Sequence, residues 1–198
     1  MRHNRIVVGI TGASGAPYAL RLIRRLTEAG IETHVTISTL GKRLLFDESD
    51  IKRCEPENLV DGGDASLVIV HNDNDLGSTI ASGSFLHDGM VIVPCSSNTM
   101  ASLAAGITTS LVHRAAAVTL KEGRKLVVAH RETPLGRIEL MNMERLVEAG
   151  AVIAPLSPGF YLRPRTVDDI LDFMVGRLMD LLGVEHDLAT RWDPSTAH

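Results

Sequence analysis

Short runs of β-branched residues alternate with segments of helical spacing along most of this chain. Arg5–Ile10 precedes a helical segment at Ala16–Ala29, and Glu32–Ser38 precedes one at Leu40–Phe46. Strands that alternate with helices form βαβ units, in which parallel strands are covered by helices on both faces. We therefore predict an α/β fold, a three-layer sandwich around a parallel sheet. The remaining predicted segments are strands at Leu67–His71, Gly89–Pro94, Lys125–His130 and Ala151–Ala154, and helices at Thr99–Ala105 and Gly136–Ala149. The polar, glycine-containing stretch from Glu48 to Ala65 is predicted to be an irregular connection.

The length and charge of the chain fit one ordinary globular domain. Of the 198 residues, 44% are hydrophobic and 22% are charged, which argues against disorder and against a coiled coil. A chain of this size buries roughly 70% of its unfolded surface around a single core, so we expect one domain over residues 1–198. The net charge of −4 disfavours a nucleic-acid partner, because that role requires a basic surface to neutralise phosphates.

Cysteine usage and hydropathy both indicate a cytoplasmic protein without a membrane segment. Cys54 and Cys95 lie far apart in sequence and form no C-x-x-C motif, so neither a disulfide framework nor a cysteine-rich zinc site is predicted. Free thiols are typical of a reducing compartment. The apolar run near the N-terminus is too short for a signal peptide, and no stretch reaches the ~18 apolar residues of a membrane span.

A glycine-rich turn follows the first predicted strand. It reads GITGASGA at Gly9–Ala16, with Pro17 at the expected start of a helix. Small residues let the backbone approach an anion, and a helix N-terminus supplies unpaired N–H groups with partial positive charge, so the turn suits a phosphate or a flavin. Thr11 stands where the dinucleotide fingerprint requires a second glycine. The alternative is a tight turn that needs glycine for its geometry alone.

Hydroxyl and amide side chains cluster after another predicted strand, in the segment VIVPCSSNTM at Val91–Met100. Pro94 is expected to end the strand. Ligands bind at the carboxyl edge of open α/β sheets, and a helix cap would need only one or two polar residues, so we favour a binding role. The cluster consists of Ser96, Ser97, Asn98 and Thr99.

Charged residues follow the strand predicted at Lys125–His130. Arg131 and Glu132 come directly after this apolar run, and Thr133 with Pro134 indicates a helix cap followed by proline at the first helical position. A carboxylate beside a guanidinium is held ionised or, if buried, is poised to donate a proton. The alternative is a surface ion pair, which contributes little to stability. The position at the edge of the sheet favours the functional interpretation.

An amphipathic helix is predicted near the end of the chain, opened by the capping pattern of Thr166 and Asp169. We expect this helix and the tail, residues 166–198, to complete the site or to form subunit contacts. Its apolar residues recur at i, i+3, i+4 and i+7. They are Val167, Ile170, Leu171, Met174, Leu178, Leu181 and Leu182.

Several further polar residues carry no functional signal singly. Arg114 and Lys121 can face the same side of one predicted helix, yet cations on a helix are usually solvated. Tyr161, in the segment GFYLRP, is equally consistent with a packed corner. The eight histidines form no H-x-x-x-H or H-E-x-x-H pattern, and we predict no metal.

Taken together, these segments resemble one family, the UbiX-type flavin prenyltransferases, which are flavodoxin-like (Rossmann-like) homo-oligomeric enzymes. The matching segments span nearly the whole chain in the family's order. RETPL together with FYLRP is far more specific than a glycine-rich turn. The full set is GITGASGA, IASGSF, P-C-S-x-x-T, RAAAVTLKEGR, RETPL, GAVIAP, FYLRP, VGR and the terminal RW.

The resemblance implies transfer of a dimethylallyl group from dimethylallyl monophosphate to N5 and C6 of reduced FMN, without a metal. The product, prenylated FMN, serves a UbiD-type decarboxylase, and dodecamers with sites between subunits are typical of the family. The implied FMN contacts are Gly12, Ala13, Ser14, Ser38, Ser96, Ser97, Asn98, Thr99 and Arg114. The implied surroundings of the prenyl phosphate are Lys121, Arg131, Glu132, Tyr161 and Arg177, with Trp192 closing over it from the C-terminal tail.

The chemistry of this reaction gives four of these residues catalytic roles. Breaking an allylic C–O bond leaves anionic charge on the departing phosphate, which Lys121 and Arg131 would stabilise. Glu132 is the candidate proton shuttle, which would protonate the leaving phosphate and help remove the proton from flavin C6. Ser14 matches a family residue near the reacting flavin.

The chain departs from the family pattern in two places. Many members carry Met-Lys or Ile-Lys where this chain has Ser97 and Asn98, and RAADV where this chain has Ala117. Loss of the lysine removes a cation near the flavin, and loss of the aspartate removes its potential partner. FMN binding is still expected, and a different prenyl donor, such as the pyrophosphate, stays open.

Two other functions are compatible with parts of the sequence. FMN-dependent cysteine decarboxylases carry a P-A-S-A-N-T segment similar to PCSSNT, including Asn98, but they rely on a histidine in an H-I-x-L setting. The corresponding region here reads VIVHNDNDLGS. A non-catalytic FMN carrier subunit would keep the flavin loops but would need neither Glu132 nor the phosphate-binding cations. We prefer prenyl transfer because both of these features are present.

Overall fold

A computed structural model describes residues 3–188 of the chain. Six strands form one parallel sheet in the order β3-β2-β1-β4-β5-β6. Helices cover both faces, so the predicted three-layer α/β sandwich is confirmed. The strands are β1 (Arg5–Ile10), β2 (Glu32–Ile37), β3 (Val68–His71), β4 (Gly89–Cys95), β5 (Leu126–His130) and β6 (Val152–Ile153).

Two separate hydrophobic clusters hold the helices to the sheet. One cluster fills the face covered by α1, α2 and α7, and the other fills the face covered by α4, α5 and α6. Every residue of β4 and β5 is buried, as expected for central parallel strands with helices on both sides. The helices are α1 (Ala16–Glu28), α2 (Thr39–Ser49), α3 (Pro56–Leu59), α4 (Ser97–Ala104), α5 (Leu111–Lys121), α6 (Arg137–Glu148) and α7 (Val167–Leu182).

The strand order reverses direction between β1 and β4, which lie side by side at the centre of the sheet. The first βα units build outward from β1 through β2 to β3, and the chain then returns to β4 and builds outward in the other direction. In a doubly wound sheet, the loops diverge at such a point and leave a crevice beyond the carboxyl ends of the strands. The glycine-rich turn and the PCSSNT segment both begin there.

The structure corrects three local predictions. Strand β4 continues past Pro94 to Cys95, which pairs with His130 after a shift in register, so Pro94 does not end the strand. Thr133 does not cap a helix. Helix α6 instead follows Gly136, whose N–H donates to the Glu139 carboxylate at 3.0 Å. The polar connection predicted to be irregular over residues 48–65 contains the short helix α3.

Helix α7 begins with the predicted capping box and packs against α1. Thr166 Oγ1 accepts a hydrogen bond from the Asp169 N–H at 3.1 Å, and the Asp169 carboxylate accepts one from the Thr166 N–H at 2.9 Å. Two N–H groups at the helix start, three residues apart, are satisfied in this way. An ion pair between Arg21 and Asp172, 2.6 Å long, joins α1 to α7. Within residues 3–188, no helix has the length and apolarity needed to cross a membrane.

Candidate active site

A cavity of about 490 Å³ opens at the carboxyl edge of the sheet, beside the β1–β4 switch point. The segments that follow five of the strands, β1 to β5, and the start of α5 contribute to its wall. Most of the lining side chains are small or carry a hydroxyl or an amide. They are Thr11, Gly12, Ser38, Thr39, Leu40, Asp73, Asn74, Ser96, Ser97, Asn98, Thr99, Ser110, Val112, His113 and Glu132.

Helices α2, α4 and α5 all begin at this cavity. Ser38 caps α2 by accepting a hydrogen bond from the Gly41 N–H at 3.1 Å, and Ser96 caps α4 by accepting one from the Thr99 N–H at 3.2 Å. The start of α5 is held by the carboxylate of buried Asp73, which accepts from the Val112 N–H at 2.9 Å. The starts of α2 and α4, which are capped by neutral serines, therefore favour an anionic ligand, whereas the Asp73 carboxylate already occupies the start of α5.

Close packing explains the glycine at position 12. A Cβ atom on Gly12 would lie 2.5 Å from Cβ of Leu40, in the first turn of α2. The neighbouring Thr11 side chain joins the two central loops: its hydroxyl donates to the Pro94 carbonyl and accepts from the Ser96 N–H, each at 2.9 Å. Gly12 therefore lets the glycine-rich turn pack directly against α2. Thr11 ties the same turn to the segment that ends β4 and begins α4.

The N-terminus of α1 is already occupied by a side chain of the protein. The Glu48 carboxylate accepts hydrogen bonds from the N–H groups of Gly15 and Ala16, at 2.9 Å and 2.8 Å. The prediction that this helix start offers unpaired N–H groups to a phosphate is therefore wrong for these two groups. The glycine-rich turn contributes Thr11 and Gly12 to the cavity, while Ala13 is buried beside them.

Arg131 and Glu132 lie together, as predicted. Nη1 of Arg131 is 3.7 Å from Oε1 of Glu132, and the Arg131 Nε–H donates to the backbone carbonyl of Ser14 at 3.1 Å. The Glu132 side chain also accepts from the Thr133 N–H at 3.0 Å and borders the cavity. A carboxylate that can hold and release a proton therefore faces the cavity, with a guanidinium beside it.

Sequence reasoning missed the partner of Ser97. The Ser97 hydroxyl lies 3.1 Å from Nε2 of His130, the last residue of β5. Burial lowers the pKa of His130, so the imidazole is neutral at physiological pH. The two residues are remote in sequence, and only the adjacency of β4 and β5 brings their loops together. Asp73, which anchors α5, was missed for the same reason.

Three predicted site residues lie away from this cavity within one chain, and a fourth, Arg114, lies beside one of its lining residues. Lys121 ends α5, roughly 15 Å along the helix axis from its start, and its ammonium is 3.5 Å from Glu122. Arg177, on α7, pairs with Asp180 at 3.1 Å. Tyr161 is half-exposed and packs edge-on against Phe173. Arg114 is exposed in the first turn of α5, next to the cavity residue His113.

The remaining predicted contact, Trp192, lies outside the described residues. Across residues 3–188, no three side chains of His, Cys, Asp or Glu come together as a metal site.

Comparison with known proteins places the chain among flavoproteins. The Flavoprotein family model matches residues 1–179. The flavin prenyltransferase UbiX of Thermoplasma acidophilum is 49% identical over 95% of this chain and 99% of its own length. The crystal structure of AnUbiX (PadA1) in complex with FMN and dimethylallyl pyrophosphate is 38% identical, with a TM-score of 0.87 over 98% of this chain and 100% of that one.

Two other solved structures are informative about the oligomeric state and about the cysteine decarboxylase alternative. A dodecameric FMN-dependent UbiX-like decarboxylase from Escherichia coli O157:H7 is 42% identical, with a TM-score of 0.87 over 96% of this chain and 99% of that one. The cypemycin decarboxylase CypD is 20% identical over 77% of this chain and 82% of that one, with a TM-score of 0.58, a likeness that shows the fold alone. The chain therefore belongs to the Flavoprotein family and, within it, to the UbiX flavin prenyltransferases.

Proposed function

We propose that this protein transfers a dimethylallyl group from dimethylallyl monophosphate to N5 and C6 of reduced FMN. The observation that carries the proposal is Glu132, an acid at the wall of a cavity at which the serine-capped helices α2 and α4 begin. Similarity supports it: relatives named flavin prenyltransferase are 42% to 49% identical over nearly the whole chain.

The residues at the cavity fit FMN. A volume of about 490 Å³ lies within the usual range of cofactor pockets, roughly 300 to 1,000 Å³. Hydroxyl and amide groups there can bind the phosphate, the ribityl chain and the polar edge of the ring system. Reduced FMN, when bound, supplies the nucleophilic positions of the reaction. The residues that would hold it are Gly12, Ala13, Ser14, Ser38, Ser96, Ser97, Asn98, Thr99 and Arg114.

Arg131, Glu132 and Ser14 would act at the reacting end of the site. The Arg131 guanidinium would stabilise the charge on the departing phosphate, and donors fixed before the reaction are effective because they need no reorganisation. Glu132 would carry a proton between the flavin C6 position and the phosphate. The Arg131 bond to the Ser14 carbonyl positions this pair against the glycine-rich turn.

We infer that the other phosphate-binding residues reach each cavity from neighbouring subunits. Lys121, Tyr161 and Arg177 are separated from Glu132 within one chain, and each is about half-exposed or more. A homo-oligomer, a dodecamer by analogy with the E. coli relative, would place them at a second subunit's site. Trp192 and residues 166–198 would contribute to the same contacts. A UbiD-type decarboxylase in the cytoplasm would receive the product.

The proposal is tested by incubating the full chain anaerobically with reduced FMN and dimethylallyl monophosphate, followed by mass spectrometry of the released flavin. A mass increase of one dimethylallyl unit is expected. A parallel reaction with dimethylallyl pyrophosphate identifies the preferred donor. Unchanged flavin with both donors, despite tight FMN binding, would instead indicate the non-catalytic carrier.

A further inference from the structure

Four side chains outside the proposed flavin cavity form a continuous series of hydrogen bonds, which we call the relay. They are Glu32, His34, His71 and Ser78. The Glu32 carboxylate lies 2.8 Å from Nε2 of His34, Nδ1 of His34 lies 2.9 Å from Nε2 of His71, and Nδ1 of His71 lies 2.7 Å from the Ser78 hydroxyl. Glu32 and His34 share one face of β2 because they are two residues apart. None of the four residues borders the flavin cavity.

Only one arrangement of protons satisfies this chain when both imidazoles are neutral. A carboxylate accepts only, so His34 must carry its proton on Nε2 and accept at Nδ1. His71 must then donate from Nε2 and accept at Nδ1, to which the Ser78 O–H, 2.7 Å away, donates. Every bond therefore points from Ser78 toward Glu32.

The surroundings keep the two imidazoles neutral and the carboxylate charged. Burial lowers the pKa of His34 and of His71. The neighbouring His34 lowers the pKa of His71 further. Hydrogen bonds from His34 and from Arg5 lower the pKa of Glu32. Asp75 is the charged group that faces His71 from the loop after β3.

Aromatic packing holds the His34 ring of this relay in place. The Phe85 ring packs edge-on against His34 at a centroid distance of 4.7 Å and separates the relay from His87. The Arg5 guanidinium lies 5.5 Å from the Phe85 centroid while it donates to Glu32 at 2.7 Å. A base whose tautomer and orientation are both fixed is the arrangement that activates a serine hydroxyl.

We propose that Ser78 is a second, activated nucleophile of this protein, a serine that accepts an acyl group from small activated esters. Oγ of Ser78 forms a bond to the carbonyl carbon of the ester while its proton passes to Nδ1 of His71. The C–O bond to the leaving alcohol then breaks, and His71 returns the proton to that oxygen. The products are acyl-Ser78 and the free alcohol. The imidazolium formed on the way is stabilised through His34 by Glu32.

Ser66 is a matched reference within the same chain. Its hydroxyl also donates a short hydrogen bond, 2.6 Å long, but to the Asp64 carboxylate. An exposed carboxylate is a much weaker base than an imidazole at neutral pH. A higher reactivity of Ser78 than of Ser66 would therefore measure how strongly the relay activates the Ser78 hydroxyl.

The experiment treats the full chain with p-nitrophenyl acetate at neutral pH and follows acetylation of each serine by peptide mass spectrometry. General-base assistance predicts that Ser78 is acetylated about 100-fold faster than Ser66. The variant H71Q should reduce labelling of Ser78 to the level of Ser66, and H34Q should reduce it less. Circular dichroism checks that each variant is folded.

The pH dependence provides a second readout. Labelling of Ser78 should decrease only as the pH falls well below about 6.5, because His71 must be neutral to accept the proton and its pKa is lowered. Equal labelling of Ser78 and Ser66 in the parent protein would overturn the proposal, whatever the variants do. So would recovery of the acetyl group on His71, or an unchanged rate in folded H71Q.

Discussion

The Arg131 guanidinium donates its Nε–H to the backbone carbonyl of Ser14 at 3.1 Å. This bond crosses the carboxyl edge of the sheet, because β4 lies between the strands that end at the two loops. Ser14 belongs to the glycine-rich turn and Arg131 precedes Glu132, so one side chain sets the position of the acid relative to the proposed flavin loop.

Replacing Arg131 by lysine should slow prenyl transfer. An ammonium lacks the fork of donors that reaches the Ser14 carbonyl while facing Glu132. We expect product formation to fall by about 100-fold, with little change in the urea midpoint, because the side chain is partly exposed. The rate is measured as prenylated flavin formed per minute. R137K, at an exposed position on α6, should retain the parent rate.

Glu132→Gln tests the proton shuttle. Glutamine keeps the shape of the side chain but cannot exchange a proton with the phosphate or with flavin C6. FMN should bind with nearly the parent affinity while product formation falls about 100-fold. Fluorescence titration of FMN and the mass of the product flavin separate these two effects. E144Q, on the exposed surface of α6, serves as the control, and equal rates in E132Q and the parent would remove Glu132 from the mechanism.

Gly12→Ala should disturb the cavity itself. The new methyl group would lie 2.5 Å from Cβ of Leu40, which cannot rotate away, so α2 must shift. Overpacking of this kind costs about 1–3 kcal/mol, and FMN affinity should fall at least about tenfold because Ser38 moves with the helix. Calorimetric titration of FMN and urea unfolding measure the two quantities. G136A is the comparison, since its methyl group would meet only the flexible end of Glu139.

The buried histidines predict that the protein loses stability in mild acid. In the unfolded chain these groups titrate near ~6.5, and burial lowers their pKa in the folded state. Below about pH 6.5 the unfolded state therefore binds more protons than the folded state. The contribution of these histidines to the free energy of unfolding is fully present above this pH and is lost as the pH falls below it. The histidines concerned are the buried His34, His87, His113 and His130, together with His71, which is partly buried.

Urea midpoints at about pH 7.5 and about pH 5.5 measure this loss. His87→Asn is the informative variant, because the asparagine amide can still donate to the Gly89 carbonyl but does not titrate. The difference between the two midpoints should shrink in H87N. A midpoint that rises toward acid pH in the parent protein would contradict the assignment of lowered pKa values.

The sequence alone determined the layers of the fold and the edge at which the site lies. Alternation of β-branched runs with helical segments is a local property, and its consequence, a parallel sheet with ligand-binding loops at the carboxyl edge, follows from general rules of βαβ packing. The sequence therefore assigns Ser96, Glu132 and Gly12 to one site, and the structure brings all three to one cavity.

Only the tertiary structure decided which groups meet. Glu48 occupies the start of α1, His130 reaches Ser97, and Glu32 begins a relay to Ser78. These contacts join residues whose spacing in sequence carries no periodic signal, because they depend on strand order, register and the rotamers of buried side chains. The sequence could not predict the separation of Lys121 from Glu132 for the same reason. A motif shows which residue types are present, but the distance between them depends on the direction in which each helix runs.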